Sequence, residues 1–467
     1  MEKLAVIILA AGKGKRMRSG VVKVLHPLLG RSMLSFPLEV ALEGLRPEKT
    51  VVVIGHQAKK IRDAFPDPRI TFVEQKEQLG TGHAVSMTEP TLRRFAGTVL
   101  ILSGDAPLIN AQTLKEMLKH HRDNTAALTL LTALREDPAG YGRVIRGASG
   151  KVRKVAEEND ATNREQKIKE VNSGIYCVEA PFLFQALGAV RPDNVQGEYY
   201  LPDIIEAAHR KKKKIEAFPA PDPVEIMGIN TRAELAQAEE IMVDRVRRHW
   251  MAEGVTIQDP RSVYIEPSCR IGRDTVIYPN CYLRGETVIG EGCRIGPQVE
   301  IIGSRIGDRV QIRFCTMITE STIADDAIVG PFSHLRPECR VEKGAKIGNF
   351  VEVKKSRIGP GTKVNHLAYI GDSEVGAGVN IGAGTITCNY DGYHKYRTVI
   401  EDDVFVGSNT ALVAPVKVGK GALVGAGTTV TKDVPPYALA VSRARLKNIR
   451  NWVVKKGKKR NKRQQEW

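Results

Sequence analysis

The first residues with the types and spacing to do chemistry lie close to the amino terminus. An apolar run, LAVIILA (4–10), continues into AGKGKRM (11–17), and Lys23 follows a few residues later. A glycine turn after a strand exposes backbone N–H groups, and the basic residues of this turn add positive charge. The turn therefore suits a triphosphate or a pyrophosphate, although it is neither a P-loop nor a dinucleotide-binding fingerprint.

Two further side chains suit metal binding or acid–base chemistry. Asp105 follows a second apolar run, TVLIL (98–102), at a position where open α/β sheets place ligands, and a carboxylate there can hold Mg²⁺. An aspartate after a strand can alternatively cap a helix. Of the ten histidines, His366 has the best context, KVNHLAYIGD (363–372). Taken alone, a histidine between repeats is more often a structural or surface side chain than a catalytic base.

The first half of the chain alternates apolar runs with amphipathic stretches. The apolar runs predict buried strands at 4–10, 50–54, 98–102 and 127–132. The amphipathic stretches predict helices at 32–43, 58–65 and 111–122, and a longer one predicts a connecting helix over 232–253. This alternation indicates an α/β domain with a mostly parallel sheet.

From Gly254 onward, an aliphatic residue followed by glycine recurs mostly at multiples of six. The step from Gly272 to Gly290 is 18 residues, and the step from Gly290 to Gly296 is 6. This period indicates a parallel β-helix in which the aliphatic residues fill the core and three hexads make one coil. One interval of 25 residues predicts an insertion near CNYDGYHKYRT (388–398). Such insertions form loops, often on the binding face.

The composition excludes several other classes of protein. With 42% apolar and 26% charged residues over 467 positions, the chain is globular rather than disordered as a whole. No apolar run approaches the roughly 20 residues of a membrane span, and the amino terminus has no signal-peptide pattern. The seven cysteines never form a CxxC pair, which favours reduced thiols in a cytoplasmic protein over disulfides or zinc.

The net charge of +17 leaves a polyanion-binding role open. Part of this charge comes from two basic runs, 210–214 and 443–463. A solvated helix end and a solvated tail explain them more simply than a nucleic-acid site, because no nucleic-acid-binding module accompanies them. A nucleic-acid-binding protein is therefore the weaker alternative, and no nucleic-acid partner is expected.

Longer motifs point to a known family. The opening LAAGKGKRM (9–17) with KVLH (23–26) resembles that of the sugar-phosphate nucleotidyltransferases. The family's further motifs follow in order: EQLGTGHA (77–84), LSGDAPL (102–108), PAGYGRV (138–144), VNSGIY (171–176), QGEYYLPDI (196–204) and GINTR (228–232). The second half adds GPFSHLRP (330–337), GNFVEVKKS (348–356), HLAYIGD (366–372), NIGAGTITCNYDG (380–392) and VFVGSNTALVAPV (404–416). From Leu4 to about Arg443 the chain resembles the bifunctional N-acetylglucosamine-1-phosphate uridyltransferase/glucosamine-1-phosphate acetyltransferase family.

This resemblance implies an α/β nucleotidyltransferase domain (Rossmann-like, with a mostly parallel sheet), a connecting helix and a left-handed parallel β-helix of hexapeptide repeats. We expect the uridyltransferase domain at 1–230, a helical linker at 231–253, the β-helix acetyltransferase domain at 254–442 and a basic tail at 443–467. The resemblance also implies a cytoplasmic homotrimer. It would acetylate glucosamine-1-phosphate with acetyl-CoA and then transfer UMP from UTP to the product, making UDP-N-acetylglucosamine for the bacterial cell wall.

For the uridyl site, the resemblance implies that Asp105 and Asn230 share Mg²⁺. The nucleotide-binding positions are Leu9, Ala10, Ala11, Gly12, Lys23, Gln75, Gly80, Thr81, Ser103 and Gly104. The sugar-contacting positions are Gly140, Glu157 and Asn172. Asn230 can alternatively cap the helix that begins near Thr231. Two residues depart from the family pattern, Val22 in place of the usual proline and Ser103 in place of a frequent tyrosine.

For the acetyl site, the resemblance implies that His366 takes the proton of the substrate amine and that the backbone N–H of Ala383 stabilises the oxyanion. The sugar-phosphate positions are Arg336, Lys354, Tyr369 and Asn380. The acetyl-CoA positions are Ala383, Asn389, Tyr390, Ser408, Ala426 and Arg443. The main alternative is a nucleotidyltransferase whose β-helix is only a trimerisation scaffold. The presence of His366, Lys354 and Asn389 favours the bifunctional interpretation.

Overall fold

The computed structural model describes residues 3–443 and 445–456 of the chain. The last part of the predicted basic tail, 457–467, lies outside the described residues. The chain divides into two compact units, Met1–Arg245 and Val246–Trp467, and the division falls within the long helix Arg232–Ala252. Over the described ranges, no helix has both the length and the apolar character needed to cross a membrane.

The first unit is built around a nine-stranded sheet that contains both parallel and antiparallel neighbours. Its strands, with a separate hairpin formed by β2 and β3, are β1 (Leu4–Ala10), β2 (Pro27–Leu28), β3 (Arg31–Ser32), β4 (Lys49–Ile54), β5 (Ile70–Glu74), β6 (Thr98–Ser103), β7 (Leu128–Leu134), β8 (Gly142–Arg146), β9 (Val152–Ala156), β10 (Glu170–Glu179) and β11 (Ile215–Pro219). The main order is β11-β7-β10-β6-β1-β4-β5, with β8 pairing to β10 and β9.

Parallel pairing joins β6, β1, β4 and β5 and also joins β7 to β11, as the alternating pattern predicts. In contrast, β10 runs antiparallel to both β6 and β7, and β8 runs antiparallel to β9 and β10. The sheet is therefore mixed. Because β10 is reversed, its first residues lie at the same edge of the sheet as the carboxyl end of β6.

Helices cover both faces of this sheet. They are α1 (Ser35–Glu39), continued by a π-helical turn (Val40–Leu45), α2 (Ala58–Ala64), α3 (Thr81–Ser86), α4 (Glu89–Leu92), α5 (Ala111–Asp123), α6 (Ala180–Leu187) and α7 (Asp203–Arg210). The long helix α8 (Arg232–Ala252) instead packs its first turns into a separate hydrophobic cluster. Along β1, Ala5 and Ile7 pack into one core, and Val6 and Ile8 pack into the other. Burial on both faces explains why β1 reads as a continuous apolar run.

The second unit is a parallel β-helix of short strands in three sheets. The first sheet contains Thr256–Ile257, Val276–Ile277, Arg294–Ile295, Gln311–Ile312, Ile328–Val329, Lys346–Asn349, Lys363–His366, Asn380–Ile381, Phe405–Val406, Leu423–Val424 and Leu439–Ala440. The second contains Tyr264–Ile265, Tyr282–Arg284, Glu300–Ile302, Met317–Thr319, His334–Leu335, Glu352–Lys354, Tyr369–Gly371, Ile386–Cys388, Ala411–Val413 and Thr429–Val430. The third contains Arg270–Ile271, Val288–Ile289, Arg305–Ile306, Thr322–Ile323, Arg340–Val341, Arg357–Ile358, Ser373–Val375, Thr398–Ile400 and Val416–Val418.

The repeated aliphatic–glycine pair has a direct structural role in each coil. The aliphatic member points inward, so that Ile271 pairs with Ile289 of the next coil within one continuous buried core. The glycine lets neighbouring coils approach closely, because a Cβ atom on Gly272 would lie 2.6 Å from the carbonyl carbon of Gly290. The hexapeptide pattern therefore reflects both the core and the corners of the helix.

The predicted insertion is present. Ser373 pairs directly with Thr398 although the two residues are far apart in the chain, and the segment before Thr398 leaves the coil as a loop. Within this loop, Tyr390 and Lys395 form an isolated antiparallel bridge. The loop therefore folds back on itself and leaves the stacking of the coils uninterrupted.

Candidate active sites

A cleft of about 500 Å³ lies at the carboxyl ends of β1 and β6. Many of the predicted nucleotide-binding residues line it, namely Leu9, Ala11, Gly12, Gln75, Gly80, Thr81, Ser103 and Asp105. Ala10 instead packs into the core on the other face of the sheet, and the backbone N–H of Gly104 donates to Leu9 O at 2.9 Å. Gln78 and Glu198 also line the cleft, and no sequence signal distinguished them.

Lys23 joins the two predicted metal ligands. Its side chain is almost fully buried, and its Nζ donates one hydrogen bond to Asp105 Oδ2 and another, of 2.7 Å, to Asn230 Oδ1. The backbone N–H of Ile229 donates to Asp105 O at 2.9 Å, which brings the neighbouring Asn230 to the end of β6. Two residues more than a hundred positions apart in the chain thus present oxygen atoms to a single cation.

The helix caps exclude the capping alternative that the sequence left open for these two residues. Thr231 caps α8, because its Oγ1 accepts from the N–H of Glu234 at 3.2 Å, and Glu234 Oε2 accepts in return from the N–H of Thr231 at 2.7 Å. This is a capping box, so the Asn230 side chain is not needed as a cap. The cap of α5 is Asn110, whose Oδ1 accepts from the N–H of Thr113 at 2.9 Å. Asp105 therefore caps neither helix.

The donor set formed by Asp105 and Asn230 fits a hard divalent cation. Carboxylate and amide oxygens suit Mg²⁺, which usually takes its remaining ligands from water and substrate phosphates. Within residues 3–443 and 445–456, no group of three or more His, Cys, Asp or Glu could hold a metal ion. An ion bound here would therefore depend on oxygen atoms that the substrates or water bring.

The predicted sugar-contacting residues lie on β8–β10 and the turns beside them. Gly140 has a φ of +82°, which favours glycine, and its N–H donates to Glu158 Oε2 at 3.2 Å. Asn172 is buried in β10, where its Nδ2 donates to Tyr176 Oη at 2.7 Å. A Cβ atom on Gly174 would lie 3.7 Å from Ser103 Oγ, so this part of β10 adjoins the nucleotide cleft.

Glu157 has an unusual electrostatic environment. Burial of its carboxyl raises the pKa to about 7, and the negative charges of Asp203 and Asp160 act in the same direction. Arg143 opposes this effect. Burial and the charge of Glu206 also raise the pKa of Asp203, to about 6. Beside the predicted sugar site, the like charges of several carboxyl groups thus disfavour the ionisation of each one.

The departures at Val22 and Ser103 have different consequences. Val22 is buried in the core formed with β1, and a short 3₁₀ helix, Lys23–Leu25, begins directly after it. The side chain at this position therefore contributes to packing, and Lys23 still reaches Asp105. Ser103 lines the cleft, so the smaller residue leaves space that a tyrosine would occupy.

In the β-helix, His366 lies at the end of a strand of the first sheet. Its Nδ1 is 3.0 Å from Oδ1 of Asn349, the residue that pairs with it on the preceding coil. Since the amide oxygen can only accept, this contact favours the neutral tautomer with its proton on Nδ1, and in that tautomer Nε2 has a free lone pair. The His366 side chain is exposed, so this lone pair is accessible to a substrate.

The register of the coils aligns the predicted acetyl-CoA residues with His366. Gly384 N–H donates to Leu367 O at 2.9 Å, which places Ala383 on the coil after His366. On the next coils, Asn409 N–H donates to Ala383 O at 2.7 Å and Gly427 N–H donates to Ser408 O at 2.8 Å. These bonds align His366, Ala383, Ser408 and Ala426 in one column along a corner of the helix.

Two features of this column matter for acyl transfer. Successive coils are about 4.8 Å apart, as in any sheet, so the column offers an extended strip for a long ligand. No described residue accepts a hydrogen bond from the N–H of Ala383. Further along, a Cβ atom on Gly425 would lie 3.5 Å from Nη2 of Arg443, which brings that guanidinium close to the end of the strip.

A cluster of positive charge lies on the second sheet and the inserted loop. The nearby ammonium of Lys395 lowers the pKa of Lys354, and burial and Arg336 add to this effect, while Asp372 opposes it. Lys354 Nζ is 4.0 Å from Asp372 Oδ2, which also accepts a hydrogen bond from Asn389 Nδ2. The cluster can hold a phosphate dianion.

Lys395 was not predicted from the sequence. It lies in the inserted loop, and only the fold brings it to Lys354. The other predicted residues are spread around the same coils: Tyr369 is half-buried beside Glu352, Asn380 begins a strand of the first sheet, and Tyr390 is exposed on the inserted loop with its Oη donating to Gly392 O at 2.5 Å.

Models of known protein families match parts of both units. The nucleotidyl transferase family model matches residues 5–225. The model for the bacterial transferase hexapeptide (six repeats) matches 268–303, and that for the hexapeptide repeat of succinyl-transferase matches 397–432. The chain is 50% identical to the Bifunctional protein GlmU of Geotalea uraniireducens, over 98% of this chain and 100% of the relative. It is 50% identical to that of Pelobacter propionicus (98% and 100%) and 48% identical to that of Geobacillus thermodenitrificans (99% and 100%).

Proposed function

Because the chain belongs to the family of the bifunctional GlmU proteins and is a uridyltransferase and acetyltransferase, we propose that its two reactions take place in the cleft beside Asp105 and in the column beside His366. The first reaction would acetylate glucosamine-1-phosphate with acetyl-CoA. The second would transfer UMP from UTP to N-acetylglucosamine-1-phosphate and release pyrophosphate. The product is the cell-wall precursor UDP-N-acetylglucosamine.

In the uridyl reaction, an oxygen of the sugar phosphate attacks the α-phosphorus of UTP, and the bond to pyrophosphate breaks. The reaction needs positioning and charge neutralisation rather than a protein nucleophile. Lys23 and the basic turn after β1 supply positive charge, while Asp105 and Asn230 would hold Mg²⁺. The bound ion would neutralise phosphate charge. The observation that supports this assignment is the convergence of the Asp105 and Asn230 oxygens on one cationic group.

In the acetyl reaction, Nε2 of His366 takes a proton from the amine of glucosamine-1-phosphate as the nitrogen attacks the thioester carbonyl. The N–H of Ala383 donates to the oxyanion, and the C–S bond of the tetrahedral species then breaks. The departing thiolate of coenzyme A takes the proton that His366 Nε2 had removed from the amine. Asn349 holds the imidazole in the tautomer that this step needs. Arg336, Lys354 and Lys395 bind the sugar phosphate. The observation that carries this proposal is the register that aligns His366 with Ala383.

We also propose that the protein is a homotrimer. Phe314, Phe332 and Phe350 form an exposed ladder along one corner of the β-helix, with ring centroids 5.3 and 5.2 Å apart, and Leu367 continues it. A continuous exposed apolar strip of this kind is typical of a protein interface. Phe350 and Leu367 directly follow Asn349 and His366, so a neighbouring copy would border the acetyl site. Since UTP and acetyl-CoA are cytoplasmic metabolites, we place the enzyme there.

The test uses the purified full chain with glucosamine-1-phosphate, acetyl-CoA, UTP and Mg²⁺, and follows free thiol and pyrophosphate separately. His366→Ala is expected to abolish thiol release while the protein still makes pyrophosphate from pre-acetylated sugar phosphate. Asp105→Ala is expected to do the reverse. Loss of both activities in either variant would contradict two independent sites. Pyrophosphate release by the wild type without any thiol release would instead indicate that the β-helix is only a scaffold.

A further inference from the structure

The strand that carries Asn172 is interrupted at the sugar site. In β10, Asn172 pairs with Thr132 of β7, but Tyr176 pairs with Leu130, so four steps along β10 match only two along β7. Gly174 adopts a φ of +76° inside this bulge. Ser173 stabilises it, because its Oγ donates to Leu131 O at 2.7 Å and accepts from the N–H of Ile175 at 3.0 Å. The bulge is therefore fixed by side-chain hydrogen bonds.

The bulge brings two side chains together that a regular strand would keep apart. In a regular strand, residues four positions apart are separated by roughly 13 Å. Here Nδ2 of Asn172 donates to Oη of Tyr176 at 2.7 Å. Tyr176 is completely buried, and burial followed by the charge of Glu157 raises the pKa of its hydroxyl. The hydroxyl stays protonated and accepts from the amide.

The other end of the Asn172 amide has no partner. Its Oδ1 is buried and accepts no hydrogen bond within the described part of the chain. Buried polar atoms are almost always paired, so an orphaned acceptor next to a candidate ligand site indicates that a ligand supplies the donor. Because Tyr176 occupies the N–H₂ end, the oxygen is the end that remains for the ligand.

We propose that Tyr176 is a positioning residue that fixes the Asn172 amide with its oxygen toward the sugar, so that the uridyl site selects sugar phosphates with a hydroxyl or amide N–H at this point. The inference rests on the proposed uridyl reaction and on the sugar-binding role of Asn172. It assigns to Tyr176 a part in substrate selection although the residue itself does not contact the substrate.

Steady-state kinetics of Tyr176→Phe test this assignment. The KM for N-acetylglucosamine-1-phosphate is expected to rise about tenfold, as for the loss of one well-aligned hydrogen bond, with kcat changed less than twofold. The KM for UTP and the acetylation rate should not change. Thr129→Val is the matched control, because it removes another buried hydroxyl of the same sheet, one bonded to His121 at 2.8 Å. An equal sugar KM in Tyr176→Phe and the control would overturn the proposal.

Analogues of the sugar phosphate give a readout that a packing defect would not affect. Fluorine can accept a hydrogen bond weakly but cannot donate one, so deoxyfluoro and deoxy analogues at the contacted hydroxyl should be equally poor substrates of the wild type. In Tyr176→Phe the amide can turn, and the fluoro analogue should become the better of the two. If the wild type already prefers the fluoro analogue, the amide nitrogen faces the sugar and the proposed orientation is wrong.

A double-mutant cycle keeps the proposal testable if Tyr176→Phe is less stable. In an Asn172→Ala background, Tyr176→Phe should have no further effect on the sugar KM, because its partner is gone. Additive effects would show that Tyr176 acts independently of Asn172. Absence of uridyl transfer in the wild type would refute the proposed function itself. Failure of the positioning role of Tyr176 is a different result, because the wild type would then still transfer UMP.

Discussion

Replacing Glu157 by glutamine should change how the stability of the first unit depends on pH. Its carboxyl is largely buried beside Asp203 and Asp160, and its pKa in the folded protein is about 7 against an ordinary value of 4.5. Glutamine has nearly the same shape but no charge to lose. The comparison therefore isolates the free energy of ionising this one group in the fold.

The sign follows from proton linkage. Below pH 4.5, the carboxyl is protonated in both the folded and the unfolded chain and has no effect on the pH dependence. Between pH 4.5 and about 7, the unfolded chain releases the proton while the folded chain retains it, so stability falls as the pH rises. The full difference between the two pKa values, 4.5 and about 7, corresponds to about 3 kcal/mol of unfolding free energy. Glu157→Gln should lack this loss.

The assay is urea unfolding between pH 5 and pH 8.5, followed by circular dichroism at 222 nm. Over the described residues, all α-helices named above except the end of α8 lie in the first unit, so this signal reports mainly on that unit. The variant should gain stability relative to the wild type by about 2.5 kcal/mol between the two ends of the range, because part of the full difference is already lost at pH 5. Glu116→Gln, at an exposed position on α5, is the control. Parallel pH profiles for the wild type and Glu157→Gln would refute the reasoning.

Three further predictions concern the second unit. Asn349→Ala should lower kcat/KM for acetylation about tenfold, because His366 loses the acceptor that fixes its tautomer; free-thiol release measures this, and an unchanged rate would exclude the positioning role. Lys395→Ala should raise the KM for glucosamine-1-phosphate about tenfold without changing that for acetyl-CoA, since one of the three charges proposed to bind the phosphate is lost; equal changes in both KM values would contradict it. The double variant Phe332→Asp, Phe350→Asp should sediment as a monomer that has lost acetylation and retained uridylation, whereas an unchanged sedimentation coefficient would exclude this corner as the interface.

Regular parts of the fold could be predicted from the sequence because their periodicity has a simple physical cause. The strand β1 is apolar throughout since both of its faces are buried. The hexads repeat since each points one aliphatic residue inward, often with a glycine at the corner that follows. The 25-residue interval identified the inserted loop for the same reason. The antiparallel direction of β10 left no such signal, because the residue pattern of a buried strand is the same in either direction.

The helix caps show a second reason why the sequence alone did not determine the candidate site. Asn230 and Thr231 are adjacent, and both residue types are common N-caps, so local sequence could not decide which of the two caps α8. The decision comes from Glu234, which completes a capping box with Thr231, and from Lys23, which reaches Asn230 from a distant segment. The contacts that give Asn230 its position are tertiary, and no window of sequence contains them.

The contacts to which we assign a function and which the sequence did not predict occur where regular structure is interrupted. Lys395 reaches Lys354 because the inserted loop folds back at a corner of the β-helix, and Tyr176 reaches Asn172 because a bulge shortens β10. A strictly periodic coil or strand holds side chains at fixed spacings, which suits a core but not the convergence of several polar groups on one ligand. Interruptions in an otherwise regular pattern are therefore where further ligand contacts should be sought. The insertion was visible as a broken interval, whereas the bulge, marked only by Ser-Gly within an apolar strand, required the structure.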